Sequence, residues 1–222
     1  MNHKPKSRVW IWVLRGCLVL VVGVVVVLFG AFYWGREKLT TMVEEQSRPE
    51  LRETRAKEML GATALPPGYR AGISVSLDIV RGVRLGDSAD GTSVDKRGFV
   101  YQETLSRLTS KLDEFLAGKS NLLEDMGTRI RADQRLRDAT IEVNGHKIHY
   151  YVLHGEITDS DAAMPALMTV MTFQCPGDRE RWGVWFQKKD AATPAAQVDV
   201  DGSVGDEKAI RAFSGHFNVC PK

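Results

Sequence analysis

The most uniform stretch of the chain is an apolar run over residues 16–34, which contains no charged side chain. A membrane-spanning helix needs about 20 mostly apolar residues, because each residue advances the helix by roughly 1.5 Å. Trp10 and Trp12 lie before the run and Phe32-Tyr33-Trp34 ends it, as expected of aromatic side chains at the two lipid–water boundaries. The pattern therefore predicts one N-terminal transmembrane helix over residues 16–34.

The flanks of this run indicate an uncleaved anchor. A signal peptide has an apolar region of about 7–15 residues and a small-residue cleavage site, whereas this run is longer and ends in bulky aromatic residues. Basic residues favour the cytoplasmic side of a membrane protein. Slightly more basic residues lie before the run than after it. Residues 1–15 are thus predicted to be a cytoplasmic basic tail, and residues 65–222 an extracytoplasmic, periplasmic domain of a single-pass inner-membrane protein. The basic residues compared are Lys4, Lys6, Arg8 and Arg15 before the run and Arg36 and Lys38 after it.

Residues 35–64 are rich in Glu, Lys and Arg and are predicted to form a charged helical stalk. Pro49 interrupts this helix, since proline lacks the backbone N–H that an internal helical position needs. Its apolar residues do not keep a heptad repeat, which argues against a coiled coil. Leu65-Pro66-Pro67-Gly68-Tyr69 ends the stalk, and the folded domain is predicted to begin there.

The first half of the domain changes from strand to helix periodicity. Apolar residues alternate with polar ones from Ile73 to Ile79, and Gly98–Tyr101 is a further short strand. From Leu105 to Leu116 the apolar residues fall on one helical face, and Gly118 can end that helix. A second helix is predicted from residue 120 or 121 to about residue 137.

The second half returns to the strand period of two. Asn144-Gly145, the strongest two-residue turn signal, predicts a hairpin between strands at 140–143 and 146–157. Met164–Cys175 is apolar on both faces and is predicted to be a central strand, which Trp182–Gln187 follows as a returning strand. An amphipathic helix is predicted over residues 209–217. This order of elements predicts an α+β fold, with a mostly antiparallel sheet packed with helices.

Composition narrows the classes of function. The 222 residues carry a net charge of +2, which argues against a nucleic-acid partner. Of the three cysteines, Cys17 lies in the predicted anchor, whereas Cys175 and Cys220 lie in the domain. In an oxidising compartment the latter two can form a disulfide, and two buried free thiols are the alternative.

Histidines and acids do not complete a metal site in the sequence. His146 and His154 share a face of the predicted strand but lie about 26 Å apart, and His149 points to the other face. Zinc ligands all lie about 2 Å from the metal, so this strand cannot chelate one ion. The acidic segment 199–206 lacks EF-hand spacing and is interpreted as a turn and helix N-cap. No metal or other cofactor is predicted. The acidic segment's candidate ligands are Asp199, Asp201, Ser203 and Asp206.

An arginine-rich patch in the predicted second helix is a candidate contact for anionic lipid or an acidic partner, although surface charge on a helix is the commoner case. Its members are Arg129, Arg131, Arg135 and Arg137.

Gly86-Asp87-Ser88 resembles the nucleophile block of GDSL-type serine esterases, in which the serine follows the end of a strand. That family also has an Asp-x-x-His block and a Gly-x-Asn-Asp block, and this chain has neither. A serine without a base is a weak nucleophile, so a polar turn is the favoured interpretation. A membrane-tethered serine hydrolase using Ser88 is the alternative function, and a lipocalin-like ligand pocket is a third.

The order of elements from Gly68-Tyr69 through the Asn144-Gly145 hairpin, the strands at 164–175 and 182–187 and the closing helix is similar to that of PsbP-like domains. The resemblance implies an antiparallel sheet between helices and an extracytoplasmic accessory or binding domain rather than an enzyme. We therefore expect a membrane-anchored, non-enzymatic binding or scaffolding protein, accessory to a membrane complex. Its expected partners are the lipid bilayer and another membrane or periplasmic protein.

Overall fold

A single antiparallel sheet of eight strands is the main element of the fold. The computed structural model describes residues 48–76, 80–105, 110–125, 128–159, 162–189 and 199–220. The strands are β1 (Arg70–Ser76), β2 (Val80–Gly86), β3 (Arg97–Leu105), β4 (Leu122–Asp125), β5 (Thr128–Val143), β6 (His146–Asp159), β7 (Ala162–Phe173) and β8 (Arg179–Lys188). They lie in the order β1-β2-β3-β8-β7-β6-β5-β4, so β1 and β4 are the edges of the sheet.

Three short helices accompany the sheet in the described part of the chain: α1 (Pro49–Leu60), α2 (Ser110–Leu116) and α3 (Glu207–Ser214). Helix α1 begins at Pro49, where the fixed φ of proline suits the first turn. It ends at Gly61, whose φ of +58° is left-handed and therefore favours glycine. A Cβ on Gly61 would also lie 2.0 Å from the carbonyl oxygen of Asn218.

The curled sheet buries side chains on both faces. The first face includes Phe99, Tyr101 and Trp185, and α1 and α3 cover it with Leu60, Ile210 and Phe213 among others. The second face includes Met168, Val170, Val184 and Phe186, and α2 packs against it through Leu112 and Phe115. Adjacent side chains of a strand point to opposite faces, so the strands inside the sheet, such as β6 and β7, supply both cores.

Several predicted elements are confirmed. Val143 pairs with His146, and the intervening Asn144 and Gly145 both have positive φ, which is the backbone of a tight hairpin turn. Strand β7 is central and buried on both faces, with Leu167 on the first and Met168 on the second. Helix α3 forms within the predicted 209–217 segment and its flank.

The predicted α+β class is wrong, because the sheet dominates and the helices are few and short. The largest error is the predicted helix from residue 120 or 121 to 137, which is instead the antiparallel pair β4–β5. Two register shifts interrupt β5, one between Ala132 and Gln134 and one between Arg135 and Arg137. Each bulge adds a residue and shifts the alternation of faces, which hides the strand period of two in the sequence.

The predicted helix over 105–116 is also only partly correct. Strand β3 continues to Leu105, and the helix begins at Ser110. Near the start of the domain, the register shift between Ala71 and Ile73 buries Ala71 and leaves Ile73 38% exposed, although alternation alone predicts Ile73 to be buried.

Helix α1 occupies residues of the predicted stalk and packs on the sheet. Ala56 and Leu60 are fully buried in the first core. The Arg52 guanidinium donates to the carbonyl oxygen of Gly72 at 2.8 Å, which joins α1 to β1. The predicted tail, the transmembrane helix at 16–34 and the stalk before residue 48 lie outside the described residues. None of the helices within the described ranges is long and apolar enough to span a bilayer.

Candidate binding site

A row of polar side chains crosses the second face of the sheet. Successive register pairs place its members directly opposite one another on five neighbouring strands. Opposed residues of antiparallel strands have Cβ atoms about 4.5–5.5 Å apart, so each member of the row adjoins the next. The members of this polar row are Thr140 on β5, His149 on β6, Thr172 on β7, Trp182 on β8 and Gln102 on β3.

The inner end of the polar row contains buried polar atoms without hydrogen-bond partners. Gln102 is 1% exposed, and neither its amide oxygen nor its amide nitrogen has a partner. The indole N–H of Trp182 and the hydroxyl of Thr104, two residues beyond Gln102 on the same face, are also unpartnered. Each such group costs roughly 1–3 kcal/mol, a large sum against a total stability of about 5–15 kcal/mol. The set needs a ligand, a partner or water to satisfy it.

The chemistry of this inner set is neutral and rich in donors. An indole N–H only donates, a hydroxyl donates and accepts, and an amide offers two donors and one acceptor. Such a set suits a polar ligand group that carries its own acceptors, and it offers no group for proton transfer near neutral pH.

The outer end of the polar row is exposed and preorganised around His149. The Nε2 atom of His149 lies 2.7 Å from Oδ1 of Asp138, and its Nδ1 atom lies 3.3 Å from the hydroxyl of Thr140. The imidazole packs against the Tyr151 ring with centroids 4.7 Å apart, and the Arg135 guanidinium lies 4.4 Å from the centroid of that ring. These contacts fix the orientation of the imidazole at the surface.

The four predicted patch arginines lie on β5 and do not form one surface. Arg135 donates to the carbonyl oxygen of Leu116 on the second face, whereas Arg137 donates to that of Gly205 on the first. Arg129 forms an ion pair with Glu124, and Arg131 forms ion pairs with Asp133 and Glu156. Each guanidinium therefore has a partner within the domain.

The other histidines are positioned as the strand pattern predicts. His146 and His154 lie on strand β6 with an even separation, and His149 between them contacts the second face. Within the described residues, His, Cys, Asp and Glu side chains form no group of three that could hold a metal ion.

Ser88 lies in the loop between β2 and β3. The residue is 6% exposed, and hydrogen-bond acceptors surround its hydroxyl. It lies 2.9 Å from Oδ1 of Asp90 and 2.8 Å from the carbonyl oxygen of Ser93. The Thr92 hydroxyl, the Thr92 backbone N–H and the Ser88 hydroxyl stabilise the Asp90 carboxylate and lower its pKa to about 2. Next to it, the Asp87 carboxylate accepts hydrogen bonds from the backbone N–H groups of residues 95–97. Ser88 thus helps to close a loop.

The acidic segment at 199–206 forms the predicted turn and N-cap. The Asp199 carboxylate accepts from the backbone N–H of Asp201. Asp206 caps α3 by accepting from the N–H of Lys208, and its other oxygen accepts from Gly202.

Cys175 and Cys220 form a disulfide with an S–S distance of 2.00 Å. The bond joins the C-terminal segment to Cys175, two residues after the end of β7. Two neighbouring contacts support the same segment. Asn144 at the hairpin donates to the carbonyl oxygen of Phe217 at 2.9 Å, and the Asn218 N–H donates to that of Leu60 at 2.9 Å.

Sequence reasoning missed the inner polar set. Gln102 and Thr104 follow the predicted strand Gly98–Tyr101, and alternating polar residues there usually face solvent. They are buried because β3 lies between β2 and β8, which only the register reveals. Residues 100–105 show no alternation of apolar and polar side chains, so no local pattern marks the continuation of this strand.

No protein-family model, curated protein or solved structure matches this chain. The similarity to PsbP-like domains therefore stays a prediction.

Proposed function

We propose that the chain is a membrane-anchored, extracytoplasmic binding or scaffolding protein, non-enzymatic and accessory to a membrane complex. The observation on which the proposal chiefly depends is the Cys175–Cys220 disulfide. Such bonds persist in oxidising compartments and are rare in the cytosol. Together with the apolar run at 16–34, the disulfide supports a domain presented outside the cytoplasm.

The binding role has separate support in the polar row. Its inner members retain hydrogen-bonding capacity that the described residues leave unused, and its outer members hold His149 in one orientation. Buried polar groups that lower the stability of a fold are typical of functional sites. The members are adjacent across the strands, so the buried inner end adjoins the exposed outer end, at which a partner can dock.

Topology is tested by fusing alkaline phosphatase after Lys222 in the full-length chain. We expect an active fusion, since the enzyme requires an oxidising compartment to form its own disulfides. An inactive fusion, with cytosolic β-galactosidase active at the same junction, would contradict the proposed location.

Binding is tested with a photo-reactive residue at position 140 of the full-length chain in native membranes. A matched probe at the exposed position of Lys208, on α3 over the first face, is the control. We expect one discrete adduct with a protein of the same membrane from position 140 and none from position 208. No adduct at 140, or the same set of adducts at both positions, would contradict the binding role.

A further inference from the structure

A second polar site lies on the opposite face of the sheet, where three arginines surround one buried glutamate. Register pairs place Arg81 of β2 and Arg181 of β8 on either side of Glu103 of β3. Arg179 donates to Oε1 of Glu103 at 3.0 Å, and Arg181 donates to Oε2 at 3.1 Å. We name Arg81, Glu103, Arg179 and Arg181 the arginine–glutamate cluster.

The buried end of this cluster is a balanced ion pair. The side chains of Arg181 and Glu103 are only 6% and 8% exposed, so water screens this pair poorly. Arg179 is 25% exposed and joins the pair from the side. Arg81, by contrast, is exposed, and it forms no hydrogen bond or ion pair with other residues of the described ranges. The cluster therefore has a buried, charge-balanced end and a positive rim at Arg81.

An unused hydrogen-bond donor adjoins the cluster. Tyr101 lies two residues before Glu103 on the same face and is 1% exposed. Its hydroxyl lies within the electrostatic reach of Arg181, Glu103 and Arg81 but has no hydrogen-bond partner of good geometry. Gly183, which pairs with Tyr101 on β8, places no side chain beside this hydroxyl.

We propose that the arginine–glutamate cluster binds an oxyanion, a carboxylate or phosphate group held by Arg81 and Arg181 beside the Tyr101 hydroxyl. Guanidinium groups match the planar oxygens of such groups and can donate to them in pairs. One bound anion offsets the charge of Arg81 and satisfies the unused hydroxyl. This site lies on the first face and does not depend on the polar row or on the proposed function.

The test measures binding of inorganic phosphate to the full-length chain in neutral phosphatidylcholine nanodiscs at low ionic strength, with chloride at equal ionic strength as the reference. Titration calorimetry and the shift in unfolding temperature both report binding. We expect Arg81→Gln to weaken phosphate binding about tenfold or more, because it removes a charged hydrogen-bond donor. Arg129→Gln is the matched control, since Arg129 is also an exposed strand arginine but forms an ion pair with Glu124.

A second arm replaces free phosphate by nanodiscs that contain phosphatidylglycerol. An Arg81-dependent shift in unfolding temperature with phosphate identifies a soluble anion, and one with phosphatidylglycerol alone identifies a lipid headgroup. Both results support the oxyanion site. The proposal is wrong if neither probe shifts the wild-type chain beyond chloride, or if Arg81→Gln and Arg129→Gln change binding equally.

Discussion

The unpartnered hydroxyl of Thr104 leads to a prediction of unusual sign, namely that Thr104→Val stabilises the protein. Thr104 is 4% exposed, and its hydroxyl has no hydrogen-bond partner. Valine has nearly the same shape and replaces that hydroxyl by a methyl group. Removing an unsatisfied buried group recovers a desolvation cost of about 1–3 kcal/mol, so we expect the free energy of unfolding to rise by at least about 1 kcal/mol. In a domain of this size, each kcal/mol raises the unfolding temperature by about 2–4 °C.

A matched control is available on β7. Thr169 is fully buried, and its hydroxyl donates to the carbonyl oxygen of Val204. Thr169→Val makes the same chemical change but leaves that carbonyl unpaired, so we expect a loss of about 1–3 kcal/mol. Urea unfolding of the oxidised domain, followed by circular dichroism, measures both variants against the wild type. The two substitutions should move the unfolding midpoint in opposite directions.

The reasoning fails if Thr104→Val destabilises the domain as much as Thr169→Val does. That result would mean that the Thr104 hydroxyl is satisfied, for example by an ordered water, and that the inner end of the polar row is not available to a ligand. If Thr104→Val stabilises the domain as expected, the same variant should also weaken the photo-adduct from position 140.

Three further predictions concern other parts of the domain. Cys220→Ser should lower the free energy of unfolding by roughly 4 kcal/mol, because the disulfide closes a long loop; equal stability of the oxidised and reduced wild type in urea would refute this. The Asp90 carboxylate stabilises the fold above its unfolded pKa of about 3.9, and this contribution is lost as pH falls through its folded pKa of about 2. Asp90→Asn should therefore flatten the acid-unfolding curve between those values, and an unchanged curve would contradict the assignment. Finally, a fluorophosphonate probe should not label Ser88, because the hydroxyl is buried among loop acceptors; labelling detected by mass spectrometry would support a hydrolase instead.

The local sequence pattern was sufficient to predict an element where one physical rule determined its structure. The Asn144-Gly145 turn follows from the backbone freedom of its two residues, and β7 follows from apolar side chains at consecutive positions. Asp206 could be placed before α3 because acidic N-caps are common at helix starts.

The β4–β5 pair and both polar sites depend on tertiary structure, which the local sequence pattern does not predict. Two bulges between Ala132 and Arg137 remove the strand period of two from the second half of the predicted helix at 120–137. The inner polar set depends on the pairing of Gln102 with Trp182, residues 80 positions apart in the chain. The arginine–glutamate cluster likewise combines β2, β3 and β8. No local period encodes which strands become neighbours, so neither site could be derived from the sequence.

The contact between Leu60 and Asn218 also defines a route for mechanical force. Tension applied to the chain before α1 reaches the edge strand β1 through Arg52, where strands peel apart one at a time. The Asn218 N–H gives that tension a second path, into the C-terminal segment and across the disulfide to the end of β7. Because β7 lies inside the sheet, this second path bypasses β2, β3 and β8. A pull from the N-terminal side is thus shared between the edge and the centre of the domain, and reduction of the disulfide leaves only non-covalent contacts, such as that of Asn144 with Phe217, on the central path.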